Sequence, residues 1–154
     1  MKHDPRLQRV LERMRPGVLS RDGFLGSDPR PLEEVLDADR SAVAALGLTH
    51  EEIAARLREV FDQARAGLGT PVHIGERLVA VYHEAMGRIP CPWGGCGVLP
   101  KGEVELTDSA TGESLLLTAL GIHMVGEHGF YNGRGTRYRL EPAALARLLL
   151  SPAH

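Results

Sequence analysis

The sequence predicts an α+β fold, and three observations carry that expectation. Residues 1–69 place apolar side chains at helical spacing between strong start and stop signals. From Thr70 onward, short β-prone runs alternate with turns rich in Gly, Asp and Ser. Both cysteines, Cys91 and Cys96, and a histidine pair, His123 and His128, fall in this second part at C-x4-C and H-x4-H spacing. The expected organisation is a helical region, 1–69, and a small α+β region, 70–154, forming one compact domain of 154 residues.

Composition narrows the function classes. With 43% hydrophobic and 25% charged residues the chain is of globular type, and at 5% aromatics its core must be mostly aliphatic. A net charge of −2 argues against wholesale adhesion to nucleic acid or to an acidic membrane surface. No apolar run approaches the ~20 residues that span a bilayer. The start, M-K-H-D-P-R-L-Q-R, lacks the apolar stretch of a signal peptide. The expected location is cytoplasmic, where two cysteines stay reduced and read as metal ligands before they read as a disulfide.

Asp4-Pro5 starts a first helix and Pro16-Gly17 stops it, with Leu7, Val10, Leu11 and Met14 on one narrow stripe. The segment Val18–Pro31 has no period. Its Phe24-Leu25 pair is too apolar to leave in water, so this loop is expected to plug a groove, or else to engage another chain in a scaffold. Two short helical pieces are expected next, Pro31–Leu36 and Asp39–Leu46, the second ending at Gly47 as a left-handed cap. Thr49 and Glu52 form a capping box that launches the longest helix, Thr49–Ala66. Its inward stripe is Ile53, Leu57, Val60, Phe61 and Ala64. The phrase Ala45–Leu57 resembles the entry to a helix-turn-helix, but the chain runs straight on through R-E-V-F-D-Q-A-R without the second turn.

Beyond Thr70, V-H-I and L-V-A-V-Y flank Gly75-Glu76 as a hairpin, with His73 on its wet face. Glu103–Thr107 and Ser114–Thr118 form a second hairpin around D-S-A-T-G-E. A short helix, Ala119 to about Glu127, then carries the histidines, and Glu141–Leu150 is a closing helix whose Leu145, Leu148 and Leu149 dock on the core. Ser151–His154 are expected to fray.

Two thiolates and two imidazoles in short-spaced pairs are what tetrahedral zinc takes in a closed structural site. The order of Cys pair, strand, strand and His-bearing helix resembles the ββα unit of the C2H2 zinc finger, over about a quarter of the chain. That resemblance implies a zinc site made of Cys91, Cys96, His123 and His128. Two departures stand beside it. The family separates its second Cys from its first His by roughly a dozen residues, whereas Cys96 and His123 enclose a whole hairpin. His123 and His128 also lie about 140° apart around an ideal helix, so their convergence predicts a loosened last turn near Gly126 and Gly129. Gly94-Gly95 would let the cysteine loop fold back. The alternatives are plain buried thiols with helix polars, or an open site in which Glu127 is the general base of a metal-dependent hydrolase. Past His128, Tyr131, Arg134, Arg137, Tyr138 and Arg139 interleave cations and aromatics on a Gly-rich segment. That pattern suits nucleic acid or another anionic partner, and equally a solvated connector.

Overall fold

Each of the three longer capped helices begins where a side chain satisfies the first free amides. Asp4 accepts from the Arg6 amide at 2.9 Å, starting α1 (Pro5–Arg13). Thr49 accepts from Glu52 N–H at 3.1 Å and Glu52 accepts from Thr49 N–H at 3.0 Å, closing the capping box of α3 (His50–Ala66). Thr118 accepts from Gly121 N–H at 2.9 Å and starts α4 (Ala119–His128). The computed structural model describes residues 4–150 and is α+β. The expected fraying of Ser151–His154 lies outside the described residues.

The two pieces expected across residues 31–46 are one continuous helix, α2 (Leu32–Ala45). Asp37-Ala38 contains no residue that breaks a helix. Val35, Asp39 and Val43, four apart, are all buried along a single inward stripe. Gly47 follows at φ 73°, left-handed as expected.

β1 (Val72–Ile74), β2 (Leu78–His83), β5 (Glu103–Asp108) and β6 (Ser114–Thr118) form an antiparallel sheet in the order β1-β2-β5-β6. The register pairs Ala80 with Leu106 and Leu106 with Leu115. One face therefore presents Ile74, Ala80, Tyr82, Val104, Leu106 and Leu117, all buried. The inward stripe of α3, Ile53 to Ala64, packs on that face with Ile122 and Val125 of α4. Leu145, Leu148 and Leu149 close the same core from α5 (Pro142–Leu145) and the π-helical turn Ala146–Leu150 that continues it.

A second sheet escapes the sequence pattern. β3 (Arg88–Pro90) and β4 (Val98–Pro100) pair antiparallel, Ile89 opposite Leu99, as a two-stranded ribbon. Strands this short have no visible alternation, and their prolines fit only because a two-stranded ribbon has free edges. A second, smaller core lies beside the tip of this ribbon, uniting Val10 of α1, Met14 at its C-terminal cap, Phe24, Leu32, Val35, Cys91, Leu120, Met124 and Phe130. The narrow stripe of α1 thus packs on the body. Phe24 is 5% exposed and fills the groove expected of it. No helix among the described residues is long and apolar enough to cross a membrane.

Candidate metal centre

The cysteines occupy the tip of the β3–β4 ribbon, and local backbone chemistry brings them together. Cys91 follows the last residue of β3 and is buried. The Gly94 amide donates back to the Cys91 carbonyl at 3.0 Å. Gly94 and Gly95 then take φ of 78° and 70°, a left-handed reversal that L side chains adopt at a cost. The reversal returns Cys96 to the side of Cys91, and both thiols are free.

α4 supplies the histidines. Loosening of its last turn was the expected route to convergence, but the helix stays α-helical through His128 and stops at Gly129, φ 64°. The imidazole rings nonetheless lie 5.3 Å apart between centroids, in T-shaped orientation. Rotation of two long side chains closes the angle, so the backbone does not need to. One ligand atom from each of Cys91, Cys96, His123 and His128 lies within 4.8 Å of all the others, and this group could hold a metal ion.

Two details of the donor set fit zinc. Zn–S and Zn–N bonds of about 2.3 and 2.05 Å at a tetrahedral angle put sulfur and nitrogen about 3.6 Å apart; Cys96 Sγ and His128 Nε2 are 3.6 Å apart. His123 Nε2 is buried with no hydrogen-bond partner among the described residues. Such a nitrogen is costly unless something binds it. Burial, with His123 beside it, lowers the His128 pKa from its ordinary value, favouring the neutral imidazole that ligates metal. Burial also pushes the Cys91 thiol up to about 11, with Cys96 adding to the rise. A nearby cation is what would make it a thiolate.

Support for the site comes from residues with no metal-ligand chemistry. Trp93, between the cysteines, stacks on His128 at 4.3 Å and 3°. Phe130 backs the indole at 5.6 Å. Arg13 of α1 donates from Nη1 to the Pro92 carbonyl at 2.8 Å, clasping the cysteine loop to the first helix. None of these contacts is visible in the sequence, because each joins segments far apart in the chain. The spatial unit is a ββα arrangement, but its ribbon is β3–β4. The hairpin β5–β6, which sequence order assigns to it, is an insertion between the ribbon and α4.

The Glu127 side chain is exposed and makes no hydrogen bond among the described residues. The segment after His128 divides into two kinds of residue. Tyr131 is fully buried and lies 2.7 Å from His50 Nδ1 through its hydroxyl. Arg139 is sequestered by Asp39, with bonds of 2.6 and 2.8 Å, and also donates to Glu141 and to the Asn132 carbonyl. Tyr138 donates to Glu103, and burial pushes its hydroxyl up to about 12. Arg137 is exposed, 3.5 Å from Glu103, and Arg134 is exposed, its amide donating to Asp28. Of the five residues expected to meet an anionic partner, Tyr131, Tyr138 and Arg139 are thus engaged within the fold, and Arg134 and Arg137 are exposed.

Comparison of the chain with protein-family models, with curated proteins and with solved structures finds no match.

Proposed function

We propose that this chain is a zinc-stabilised binding module, in which Cys91, Cys96, His123 and His128 hold one zinc in a closed structural sphere. The observation that carries the reading is the orphaned, buried His123 Nε2 beside two free thiols and a second imidazole. Zinc would supply charge to ionise the thiols and a cross-link between the ribbon and α4. The chain's own residues do the rest: Gly94 and Gly95 shape the loop, Trp93 holds the His128 ring, and Arg13 fastens the loop to α1. Regions 1–69 and 70–154 then act as one unit, in a reducing compartment such as the cytoplasm. Its anionic partner, nucleic acid among the possibilities by chemistry, would dock on the Arg134 and Arg137 side.

Four donors would leave no open position for substrate, and exposed Glu127 has no hydrogen-bond partner among the described residues to orient it, which speaks against the metal-dependent hydrolase. Buried Phe24 speaks against a metal-free scaffold docking through that side chain. The test is elemental analysis of purified protein, wild type and the variants Cys91→Ser and His128→Ala. One zinc per chain, lost in both variants together with thermal stability, is the expected result. Zinc lost with stability intact would overturn the structural role.

A further inference from the structure

A cleft of about 630 Å³ opens between the 20–26 loop, the β3–β4 ribbon and the 132–138 segment. It is a separate site, since none of the four candidate ligands lines it. Its size falls within the range of small-molecule pockets. The lining is apolar at Phe24, Ile89, Leu120 and Met124. Three cations stand on it: Arg21 and Lys101, exposed and without an ion pair among the described residues, and Arg137, whose carboxylate neighbour Glu103 is shared with Tyr138.

The decisive residue is Asn132. It is only 3% exposed, lines the cleft, and its side-chain amide has no hydrogen-bond partner among the described residues. Its amide is open to the cleft, where it can donate to and accept from a ligand. Its backbone is held in place. Asn132 sits at φ 67°, a conformation uncommon for a residue with a side chain. Its carbonyl is gripped by Arg139 at 2.8 Å, and the next amide, Gly133, donates to the Phe24 carbonyl at 2.9 Å. A Cβ at Gly133 would lie 2.2 Å from the Leu25 carbonyl oxygen, so the two loops are in close backbone contact there.

We infer that this cleft binds a small organic anion with an apolar or planar body and an amide-like donor–acceptor edge, chemistry that a nucleoside monophosphate combines. The body lies on the apolar lining. The edge pairs with Asn132, whose amide matches an adenine-type edge in two bonds. The anionic group meets Lys101 and Arg137, and the acceptors Asp22 and Glu103 suit ligand hydroxyls. The inference deepens the binding-module reading and rests on its claim that an anion docks beside Arg137.

Calorimetric titration of the zinc-loaded full chain with AMP, UMP, adenosine and ribose 5-phosphate tests it. AMP is expected to bind at least about tenfold tighter than adenosine or ribose 5-phosphate. Asn132→Gly suits the left-handed backbone, so it should keep zinc and melting temperature while weakening AMP about tenfold or more. Lys101→Gln should weaken AMP and flatten its salt dependence. Absence of binding by both nucleotides, unchanged affinity in Asn132→Gly, or binding of single-stranded oligonucleotide without mononucleotide would each overturn the inference. Zinc content of the same samples separates the two readings. Zinc without nucleotide binding defeats the cleft alone, and nucleotide binding without zinc defeats the metal centre alone.

Discussion

Among the described residues the larger core unites twenty-three buried side chains, all but Tyr131 and Leu140 from the four-stranded sheet, α2, α3, α4 and the C-terminal helical segment, while the smaller core has nine, gathered from α1 and its cap, from loops, and from α2 and α4. The larger one is built from regular elements whose periodicity aims apolar side chains inward, and area removed from water is enough to account for its cohesion. The smaller one is assembled from segments that have little regular structure: the Phe24 loop, the cysteine loop and a nine-residue helix. Its order must come from cross-links. Arg13 to Pro92, Trp93 on His128 and the four-residue ligand cluster all lie on this side of the molecule. α4 belongs to both cores, with Ile122 and Val125 in one and Leu120 and Met124 in the other. The difference teaches that a small, loop-built core is where a metal staple has the most to contribute.

Removing the metal is the sharpest way to break this comparison. Chelation under reducing conditions is expected to cost several kcal/mol, given the size of structural zinc binding energies. The loss should be confined at first to the smaller core. Amide exchange would reveal it as lost protection at Val10, Met14 and Phe130, with protection at Leu57 and Leu106 largely kept. Uniform loss across both cores would mean that they are one cooperative unit.

Asp39→Ala should be next in size. Asp39 and Arg139 are 4% and 9% exposed at their side chains, and the pair ties α2 to the segment ahead of α5. Deleting the carboxylate leaves a buried guanidinium with only exposed Glu141 and a carbonyl, at an expected cost of about 3 kcal/mol. Because α2 contributes Val35 to one core and Val43 to the other, chemical denaturation should show both cores weakened together. An Asp39→Ala protein as stable as wild type would show that Arg139 is free to serve a partner after all.

The smallest effect is pH-dependent and local to the smaller core. Asp28 accepts from the Arg30 guanidinium at 2.9 and 2.7 Å, from the Arg30 amide at 3.2 Å and from the Arg134 amide at 3.0 Å. The Arg30 guanidinium holds its carboxyl well below the usual carboxylate range. A depressed folded-state pKa stabilises the fold above the unfolded value of about 3.9, and the contribution fades as pH falls toward the folded value. Asp28→Asn should therefore cost about 2 kcal/mol at neutral pH. In urea titrations with excess zinc, the gap from wild type should hold down to about pH 4 and close below it. A gap that widens on acidification would show that Asp28 is not held by this pair.

Much of the fold was legible because its signals are local. The capping box at Thr49 and Glu52, the α3 stripe, both hairpins of the main sheet and the left-handed Gly47 each depend on a few neighbouring residues. The Cys/His cluster that could hold a metal ion was legible for the same reason, as two short-spaced pairs of the right chemistry. The join at Asp37-Ala38 was not, because what holds α2 together there is a buried stripe and a partner for Asp39 one hundred residues away. The fate of the Arg-rich segment was hidden likewise. Arg134 and Arg139 look alike in sequence, and only the position of Asp39 makes one a surface cation and the other an interior strut.

Periodicity, caps and residue chemistry act over one or two turns, and they were sufficient to specify the α+β class, most elements and the four candidate ligands. The short β3–β4 ribbon, the closing of the four candidate ligands to within 4.8 Å, the burial of Tyr131 and the place of Asn132 on a cleft all arise where distant segments meet. Such meetings depend on how whole elements pack, and packing free energy is shared among many residues at once, so no local pattern records it.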